Sequence, residues 1–137
     1  ADGTRLANAV APNRRPRSSM SPTMIFDRNN QLLMITGSPG GNSIPAYVAK
    51  TIIGVFDWGL TAQQSVDWPN IIARGENVRV EVANDKGKGI AADLAKQGYQ
   101  VEESLGESSG IHLIIVTPKG LDGAADKRRE GVVRTID

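Results

Sequence analysis

Two short apolar runs near the start of the chain predict a β-hairpin. Residues 24–26 and 32–35 are apolar, and the stretch between them contains Asp27, Asn29 and Asn30, which tolerate turn conformations. Residues 1–22 are rich in Pro, Asn, Arg and Ser and show no apolar period. They therefore predict an irregular segment that leads into the hairpin.

The segment after the hairpin has the apolar period of a helix. Asn42 or Ser43 can cap its start, Pro45 suits its first turn, and Gly59 supplies a left-handed stop. Its apolar face is expected to hold Ile44, Val48, Ile52, Val55 and Phe56.

A shorter helix and a strand follow. Thr61 and Gln64 have the spacing of a capping box, which predicts a short helix that ends before Pro69. Residues 78–82, VRVEV, alternate as a half-buried strand does.

The last third of the chain predicts another helix and a second hairpin. The helix ends at Gly98 and is followed by a strand; residues 111–126 then form two strands that turn at the Pro-Lys-Gly of 118–120. The apolar face of this helix is expected to hold Ile90, Leu94 and Ala95. The charged tail that follows is not assigned. This order of elements predicts an α+β fold built around antiparallel strand pairs.

Composition fits one domain, which we predict over residues 1–137. The 137 residues are 39% hydrophobic and only 4% aromatic, so an aliphatic core is expected. The net charge of +1, from 16 basic and 15 acidic residues, gives no electrostatic case for a nucleic acid partner. No apolar stretch approaches the roughly 20 residues of a membrane span. With one histidine and no cysteine, no metal-ligand cluster emerges, and neither a metal nor another cofactor is expected.

The run GSPGG at residues 37–41 is the first candidate site. Glycine has no Cβ, so its N–H groups can approach a ligand closely, and here they precede a predicted helix start. Such a run can form an anion or oxyanion site. A tight strand-to-helix turn that needs glycine for its dihedral angles is the commoner explanation. The spacing matches neither a dinucleotide fingerprint nor a P-loop.

A serine-rich stretch at residues 17–23 is the second candidate. The hydroxyls of Ser18 and Ser19 can donate to a carboxylate without filling its space, and Pro16 and Pro22 stiffen the loop. A solvated linker is the alternative, although a hydrophobic strand begins directly after Pro22. His112 lies in an apolar strand, where a structural role is more common than a catalytic one. The residues thus offer donors but no obvious nucleophile.

The two candidate motifs together resemble a known enzyme family. RRPRSSMSPT at 14–23 and GSPGG at 37–41, separated by a hairpin, resemble the C-terminal part of the small subunit of the gamma-glutamyltransferases. NAVAPN at 8–13 and DWGLTAQQSVDWP at 57–69 are similar to the same family, so the resemblance covers nearly the whole chain. It implies part of an N-terminal nucleophile hydrolase αββα sandwich, with mainly antiparallel strands and flanking helices.

The resemblance also implies a reaction and roles for individual residues. The family cleaves γ-glutamyl amides such as glutathione and passes the γ-glutamyl group to water or an amine acceptor. Ser18 and Ser19 match the pair that holds the substrate's α-carboxylate, and Met20 would line the pocket beside them. Gly40 and Gly41 match the glycines whose N–H groups form the oxyanion hole.

The family's nucleophilic threonine precedes these motifs and is not expected in this chain. Thr4 lacks the threonine-rich sequence that follows the family's nucleophile. The resemblance therefore implies a piece of an enzyme, inactive alone, whose partners are the large subunit and the remainder of the small subunit. It also implies a periplasmic or secreted location. Arg17 departs from the family, which often has an apolar residue there. Exposed strand edges predict possible self-association.

Two alternatives stay open. A related acylase that cleaves another amide, such as a glutaryl side chain, would share the fold and the oxyanion hole. A non-catalytic module that binds carboxylates or other anions would use the same donors without a reaction.

Overall fold

The computed structural model describes residues 8–134. They contain a four-stranded sheet, a three-stranded sheet and three α-helices. Residues 8–22 contain no helix or strand, as the sequence predicts. The strands are β1 (Thr23–Phe26), β2 (Leu32–Gly37), β3 (Ile71–Arg74), β4 (Asn77–Glu81), β5 (Gln100–Ser104), β6 (His112–Thr117) and β7 (Gly120–Ala125). The helices are α1 (Ile44–Phe56), α2 (Ala62–Asp67) and α3 (Asp85–Lys96).

The four-stranded sheet has the order β1-β2-β6-β7, and all of its pairs are antiparallel. Both predicted hairpins belong to it. Side chains alternate across the sheet, and one face packs against α1 and α2. The buried residues on that face include Met34, Thr36, Leu113 and Ala124.

The three-stranded sheet has the order β3-β4-β5 and combines both kinds of pairing. Strands β3 and β4 form an antiparallel hairpin that turns at Gly75, where φ is 73°. Strands β4 and β5 are parallel, and α3 forms the crossover between them. The α+β class with mainly antiparallel strands is thus confirmed, with one parallel pair among the described residues.

The hydrophobic core lies between α1, α2 and the four-stranded sheet. Tyr47, Met34, Ile111 and Leu113 are at most 1% exposed. The predicted apolar face of α1 is partly wrong, because Phe56 is 46% exposed and the helix buries Tyr47, Lys50, Thr51 and Gly54 along with Ile44 and Val48. Small and polar residues can be buried there because α1 and α2 approach closely. A Cβ at Gly54 would lie 2.7 Å from Ser65 Oγ, which donates to the carbonyl of Thr51.

A buried ionic cluster fixes the segment after β7. Arg128 pairs with Glu81 at 2.6 Å and with Asp126 at 3.1 Å, and both carboxylate side chains are at most 5% exposed. Lys50 lies beside this cluster and donates to the carbonyls of Val66 and Trp68. The charged tail, which the sequence pattern left unassigned, therefore contributes to the interior.

Most helix and strand boundaries agree with the sequence prediction. Three features differ from it: the cap of α1, strand β3 and the start of α3. The capping box of Thr61 and Gln64 is present, and Gly59 and Gly98 have positive φ. Ser43 occupies the N-cap of α1 but makes no capping bond with its side chain; a 3-10 turn over Gly41–Ser43 leads into the helix instead. The sequence does not predict strand β3, because its four residues, IIAR, show no alternation of apolar and polar side chains.

The third exception is α3, which begins earlier than predicted. Asn84 caps it by accepting from the N–H of Gly87, while Gly87 and Gly89 hide the helical period in the sequence. Ala95 is exposed, whereas Ile90 and Leu94 pack against β4 and β5 as expected. The interpretation of Thr4 and the outer parts of the predicted 1–137 domain fall outside the described residues.

Candidate active site

The β1–β2 hairpin brings the two candidate motifs together. Thr23 pairs with Thr36 at the open end of the hairpin, so the residues before β1 lie beside the residues after β2. We call residues 17–22 the serine segment and residues 38–43 the glycine turn. Pro22 Cα lies 4.0 Å from the position a Cβ would take on Gly37, which shows how closely the two segments run.

An open hollow of about 420 Å³ separates the serine segment from the glycine turn. Of the sequence-predicted site residues, Ser18, Ser19, Met20 and Gly41 line it, whereas Gly40 does not. The other lining residues are Asn8, Arg17, Asn42 and Ile44. The structure thus gathers four of the five predicted residues around one space that is large enough for a small carboxylate-bearing ligand.

The backbone of the glycine turn adjoins this space at Gly41. Gly40 has φ 134° and ψ 17°, and Gly41 has φ 56°, so both adopt conformations that favour glycine. The Gly40 carbonyl accepts from the N–H of Ser43 at 3.2 Å, which closes the turn. Within residues 8–134, no acceptor is bonded to the N–H of Gly40 or of Gly41. Two adjacent amide donors at the start of a helix are suited to bind negative charge.

Hydrogen bonds between residues close in sequence hold the shape of the serine segment. The N–H of Met20 donates to Ser18 Oγ at 3.2 Å, and Ser21 Oγ donates to the Ser19 carbonyl at 3.0 Å. The N–H of Arg17 donates to Asn8 Oδ1 at 2.8 Å. Met20 is 76% exposed, so its side chain covers the hollow only from one side.

One hydrogen bond joins the two segments directly. Ser19 Oγ donates to Asn42 Oδ1 at 3.3 Å. The sequence pattern indicates Asn42 only as a helix cap, and no spacing rule places its amide opposite Ser19. The bond points the single hydroxyl proton of Ser19 toward the glycine turn, so a carboxylate that accepts this proton has to replace Asn42 as its partner.

The lining supplies donors but no paired nucleophile and base. Among its described residues, the hydroxyls are those of Ser18 and Ser19, and neither is bonded to a histidine, lysine or carboxylate. Activation of a hydroxyl nucleophile requires such a base within hydrogen-bond reach. This part of the site can therefore bind and polarise a substrate, and the attacking group has to come from elsewhere.

His112 lies away from this hollow, on β6. Its side chain is exposed on the sheet face opposite the buried Leu113, and Nδ1 lies 3.2 Å from the Gly110 carbonyl. This surface position is compatible with the expected structural role. The described residues contain no group of three or more His, Cys, Asp or Glu that could hold a metal ion. No helix between residues 8 and 134 is long and apolar enough to cross a membrane.

The family model for gamma-glutamyltranspeptidases matches residues 2–136 of the chain. The chain belongs to the gamma-glutamyltranspeptidase family. The glutathione hydrolase proenzyme of Escherichia coli is 34% identical over 131 residues, an alignment that covers 89% of this chain and 21% of the relative. The chain thus spans about a fifth of the length of the curated glutathione hydrolases it matches.

Solved gamma-glutamyltranspeptidases share the fold. The enzyme from Pseudomonas nitroreducens complexed with L-DON is 26% identical with a TM-score of 0.81, covering 98% of this chain and 70% of that one. An acivicin-inhibited gamma-glutamyltranspeptidase is 32% identical with a TM-score of 0.77, covering 91% of this chain and 68% of that one. The expected identity of the fold, a portion of an N-terminal nucleophile hydrolase sandwich, is therefore confirmed.

Proposed function

We propose that this chain is the substrate-binding and oxyanion-stabilising part of a gamma-glutamyltransferase. The enzyme cleaves γ-glutamyl amides such as glutathione and passes the γ-glutamyl group to water or to an amine acceptor. The observation that carries this proposal is the hollow lined by Ser18 and Ser19 of the serine segment on one side and by Gly41 of the glycine turn on the other. Membership of the family supports the reaction class.

The serine segment holds the α-carboxylate in this proposal. Hydroxyls at Ser18 and Ser19 donate to the carboxylate oxygens, and Met20 covers the same side of the hollow. Hydrogen bonds to a charged group contribute about 1.5–3 kcal/mol each, which is enough to select substrates that carry the carboxylate. This requirement separates a γ-glutamyl substrate from a 4-aminobutyryl one, which lacks the carboxylate. A glutaryl group keeps that carboxylate and lacks the α-amino group, so a contact with the amino group has to separate it from γ-glutamyl.

The glycine turn stabilises the charge that develops on the γ-carbonyl oxygen. The N–H groups of Gly40 and Gly41 have no acceptor within the described part of the chain, so they are available to an oxyanion. Preorganised donors of this kind act in the transition state, and losing one typically costs about 3–4 kcal/mol of barrier.

The nucleophile and the rest of the binding site come from other parts of the enzyme. The absence of a base beside Ser18 and Ser19 in the described lining supports this division. The outer face of the four-stranded sheet also supports contact with further chain, since Met24 is 63% and Leu121 is 71% exposed. We expect the 137-residue chain alone to release no chromophore from a γ-glutamyl anilide.

The decisive experiment uses the complete enzyme, expressed from its full reading frame. The double variant Ser18→Ala with Ser19→Ala is compared with the parent on a γ-glutamyl anilide and on a 4-aminobutyryl anilide, which lacks the carboxylate; the parent is also assayed on a glutaryl anilide. Loss of the carboxylate grip lowers kcat/KM for the γ-glutamyl substrate roughly 10- to 1000-fold and leaves the 4-aminobutyryl substrate nearly unchanged. Ser21→Ala is the matched control, because Ser21 lies in the same segment but not in the lining.

Each other outcome favours a different function. Equal losses for both substrates contradict the assigned role of the serines. Faster turnover of the glutaryl substrate by the parent enzyme favours the acylase. Binding of glutamate without any turnover by the complete protein favours an anion-binding module. The periplasmic or secreted location stays a prediction, which cell fractionation tests.

A further inference from the structure

A network of four side chains lies behind the glycine turn. Gly40 packs directly onto the ring of Tyr47, which is 1% exposed. The Tyr47 hydroxyl donates to Glu107 Oε2 at 2.6 Å, and Arg79 Nε donates to Glu107 Oε1 at 2.7 Å. Arg79 Nη2 also donates to Ser43 Oγ, the last residue of the turn, at 3.3 Å. The network therefore touches the glycine turn at two points, Gly40 and Ser43.

The segment that carries Glu107 contacts the turn a second time. Residues 105–111 connect β5 to β6, and we call them the brace loop. The N–H of Gly110 donates to Ser38 Oγ at 3.1 Å. A Cβ on Gly110 would lie only 2.9 Å from Pro39 Cγ, so the backbone of Gly110 packs against the ring of Pro39. The brace loop thus fixes the first half of the turn through Gly110 and the second half through Glu107.

The Glu107 carboxylate is shielded from water, whereas Arg79 is partly exposed. The side chain of Glu107 is 4% exposed, and that of Arg79 is 35% exposed. Burial, with the Glu107 carboxylate next to the hydroxyl, raises the pKa of Tyr47, so this hydroxyl stays protonated and donates throughout the neutral range. The carboxylate accepts from Tyr47 and Arg79 at once, which holds both donors in one geometry.

Packing alone explains a buried tyrosine, but it does not explain where these contacts converge. Gly40 meets the ring of Tyr47, Ser43 meets Arg79, and Ser38 meets Gly110. All three contacts fall on the six residues that present the free amides. An oxyanion site requires its donors to be held close to their productive positions, and an error of about 1 Å can cost roughly 100-fold in rate.

We propose that Glu107 is a positioning residue for γ-glutamyl transfer. It holds Tyr47 against Gly40, and it holds Arg79 against Ser43, so that the N–H groups of Gly40 and Gly41 keep the geometry that the developing oxyanion requires. Glu107 does not line the hollow, so it acts on the glycine turn through Tyr47 and Arg79. This inference rests on the function proposed above.

The test compares Glu107→Gln and Tyr47→Phe, singly and together, in the complete enzyme. Misplaced oxyanion donors lower kcat for a γ-glutamyl anilide about 10- to 100-fold in Glu107→Gln, while KM changes less than threefold. Tyr47→Phe keeps the ring against Gly40 and loses only the hydroxyl, so a smaller loss in kcat is expected. The double variant is no worse than Glu107→Gln alone, because both changes break the same contact.

A second readout separates positioning from stability. A γ-boronate analogue of glutamate forms a tetrahedral adduct that carries an oxyanion, so its affinity falls by the same factor as kcat. Competitive inhibition by glutamate, which lacks that geometry, stays within twofold of the parent. A merely structural role would lower the melting temperature or the fraction of active enzyme and would leave kcat per active site and boronate affinity unchanged.

Glu103→Gln is the matched control, because Glu103 is an exposed glutamate on neighbouring β5. Its kcat is expected to equal that of the parent. Parent-like kcat and boronate affinity in both Glu107→Gln and Tyr47→Phe would overturn the inference and leave the proposed function intact. A parent enzyme that turns over no γ-glutamyl substrate would overturn both. If Glu107→Gln does not fold, Tyr47→Phe alone decides between these outcomes.

Discussion

The serine segment and the glycine turn face the same hollow but are held in different ways. The glycine turn lies against a buried tyrosine and an ion pair, and two separate contacts join it to the brace loop. The serine segment is bonded mainly to itself and to Asn8, and Ser18 is exposed. The proposed transition-state donors are thus built into the fold, whereas the proposed carboxylate donors lie on a surface loop.

This difference corresponds to what each half is proposed to do. An oxyanion exists only briefly, so its donors have to be in place before the reaction. A carboxylate is present from the first encounter, and its own binding energy can order a loop. Substitutions in the glycine turn should therefore lower kcat, and substitutions in the serine segment should raise KM.

Gly40→Ala has the largest expected effect. Its new Cβ would collide with Cε2 of Tyr47 and lie 3.0 Å from Cδ2, and φ 134° is strained for any residue with a side chain. We expect a loss of about 2–5 kcal/mol in the free energy of unfolding and at least a roughly 100-fold loss in kcat. Denaturant unfolding and steady-state kinetics measure the two.

Gly41→Ala is the matched control for stability. Its φ of 56° is also left-handed, but an added Cβ meets nothing within 4 Å. A loss of about 1–2 kcal/mol is expected from the dihedral angles alone. Equal destabilisation by both substitutions would show that contact with Tyr47 does not hold the turn.

Lys50→Met tests whether the buried lysine, and not the exposed serine segment, makes the free energy of unfolding depend on pH. Burial, and next the charge of Arg128, lower the pKa of Lys50 to about 7, while Asp126, Glu81 and Asp67 oppose the shift. An unfolded lysine keeps its proton to about pH 10.4. Between pH 7 and 10 the unfolded state binds more protons, so stability rises with pH by up to about 1.4 kcal/mol per unit.

In Lys50→Met this rise between pH 7 and 10 should be lost. The carbonyls of Val66 and Trp68 keep a donor, because Arg128 also bonds to both. Urea unfolding at several pH values measures the slope. Residues 18–22 contain no titrating side chain, so a variant of the serine segment such as Ser21→Ala should retain the slope of the parent. An unchanged slope in Lys50→Met would contradict the prediction.

Asn42→Ala tests the one side-chain bond observed between the two segments within the described residues. Its loss frees the Ser19 proton for the substrate carboxylate and is expected to lower KM for a γ-glutamyl anilide about 2- to 10-fold, with little change in kcat. Asn29→Ala, in the β1–β2 turn, is the control. A fall in kcat without a change in KM would show that Asn42 acts on the amides of its own turn and not on Ser19.

Arg17→Leu has the smallest expected effect. Arg17 is exposed on the rim of the hollow, and its backbone N–H, not its side chain, is bonded to Asn8. The free energy of unfolding should change by less than about 0.5 kcal/mol, and KM for the anilide by less than about threefold. A large rise in KM would show that the guanidinium group helps the serines to hold the carboxylate.

Local sequence patterns predicted the elements but not the contacts between them. Apolar runs located both hairpins, and the spacing of Thr61 and Gln64 predicted the cap of α2, because these signals act within a few residues. The motifs around Ser18 and Gly40 could be found in the same way, and the resemblance supplied their proposed roles.

Contacts distant in sequence could not be predicted. Tyr47 and Glu107 are separated by 60 residues, and Arg79 and Glu107 by 28. Neither pair follows a helical or strand period. The sequence does not predict the burial of Lys50 for the same reason. Its partners are backbone carbonyls of a later segment, and a helical pattern does not show where that segment lies relative to Lys50. Tertiary packing decides all of these.

The pairing of Thr23 with Thr36 has a consequence for how the family can vary. Residues can be added at the tip around Asn30 without altering the distance between the hydroxyls and the amides, which lie at the far end of the ladder. Slipping β1 by one residue along β2 would shift the serines by about 3.4 Å and reverse their orientation. Natural insertions should therefore accumulate at the tip, and the distance between the serine segment and the glycine turn should be the same throughout the family.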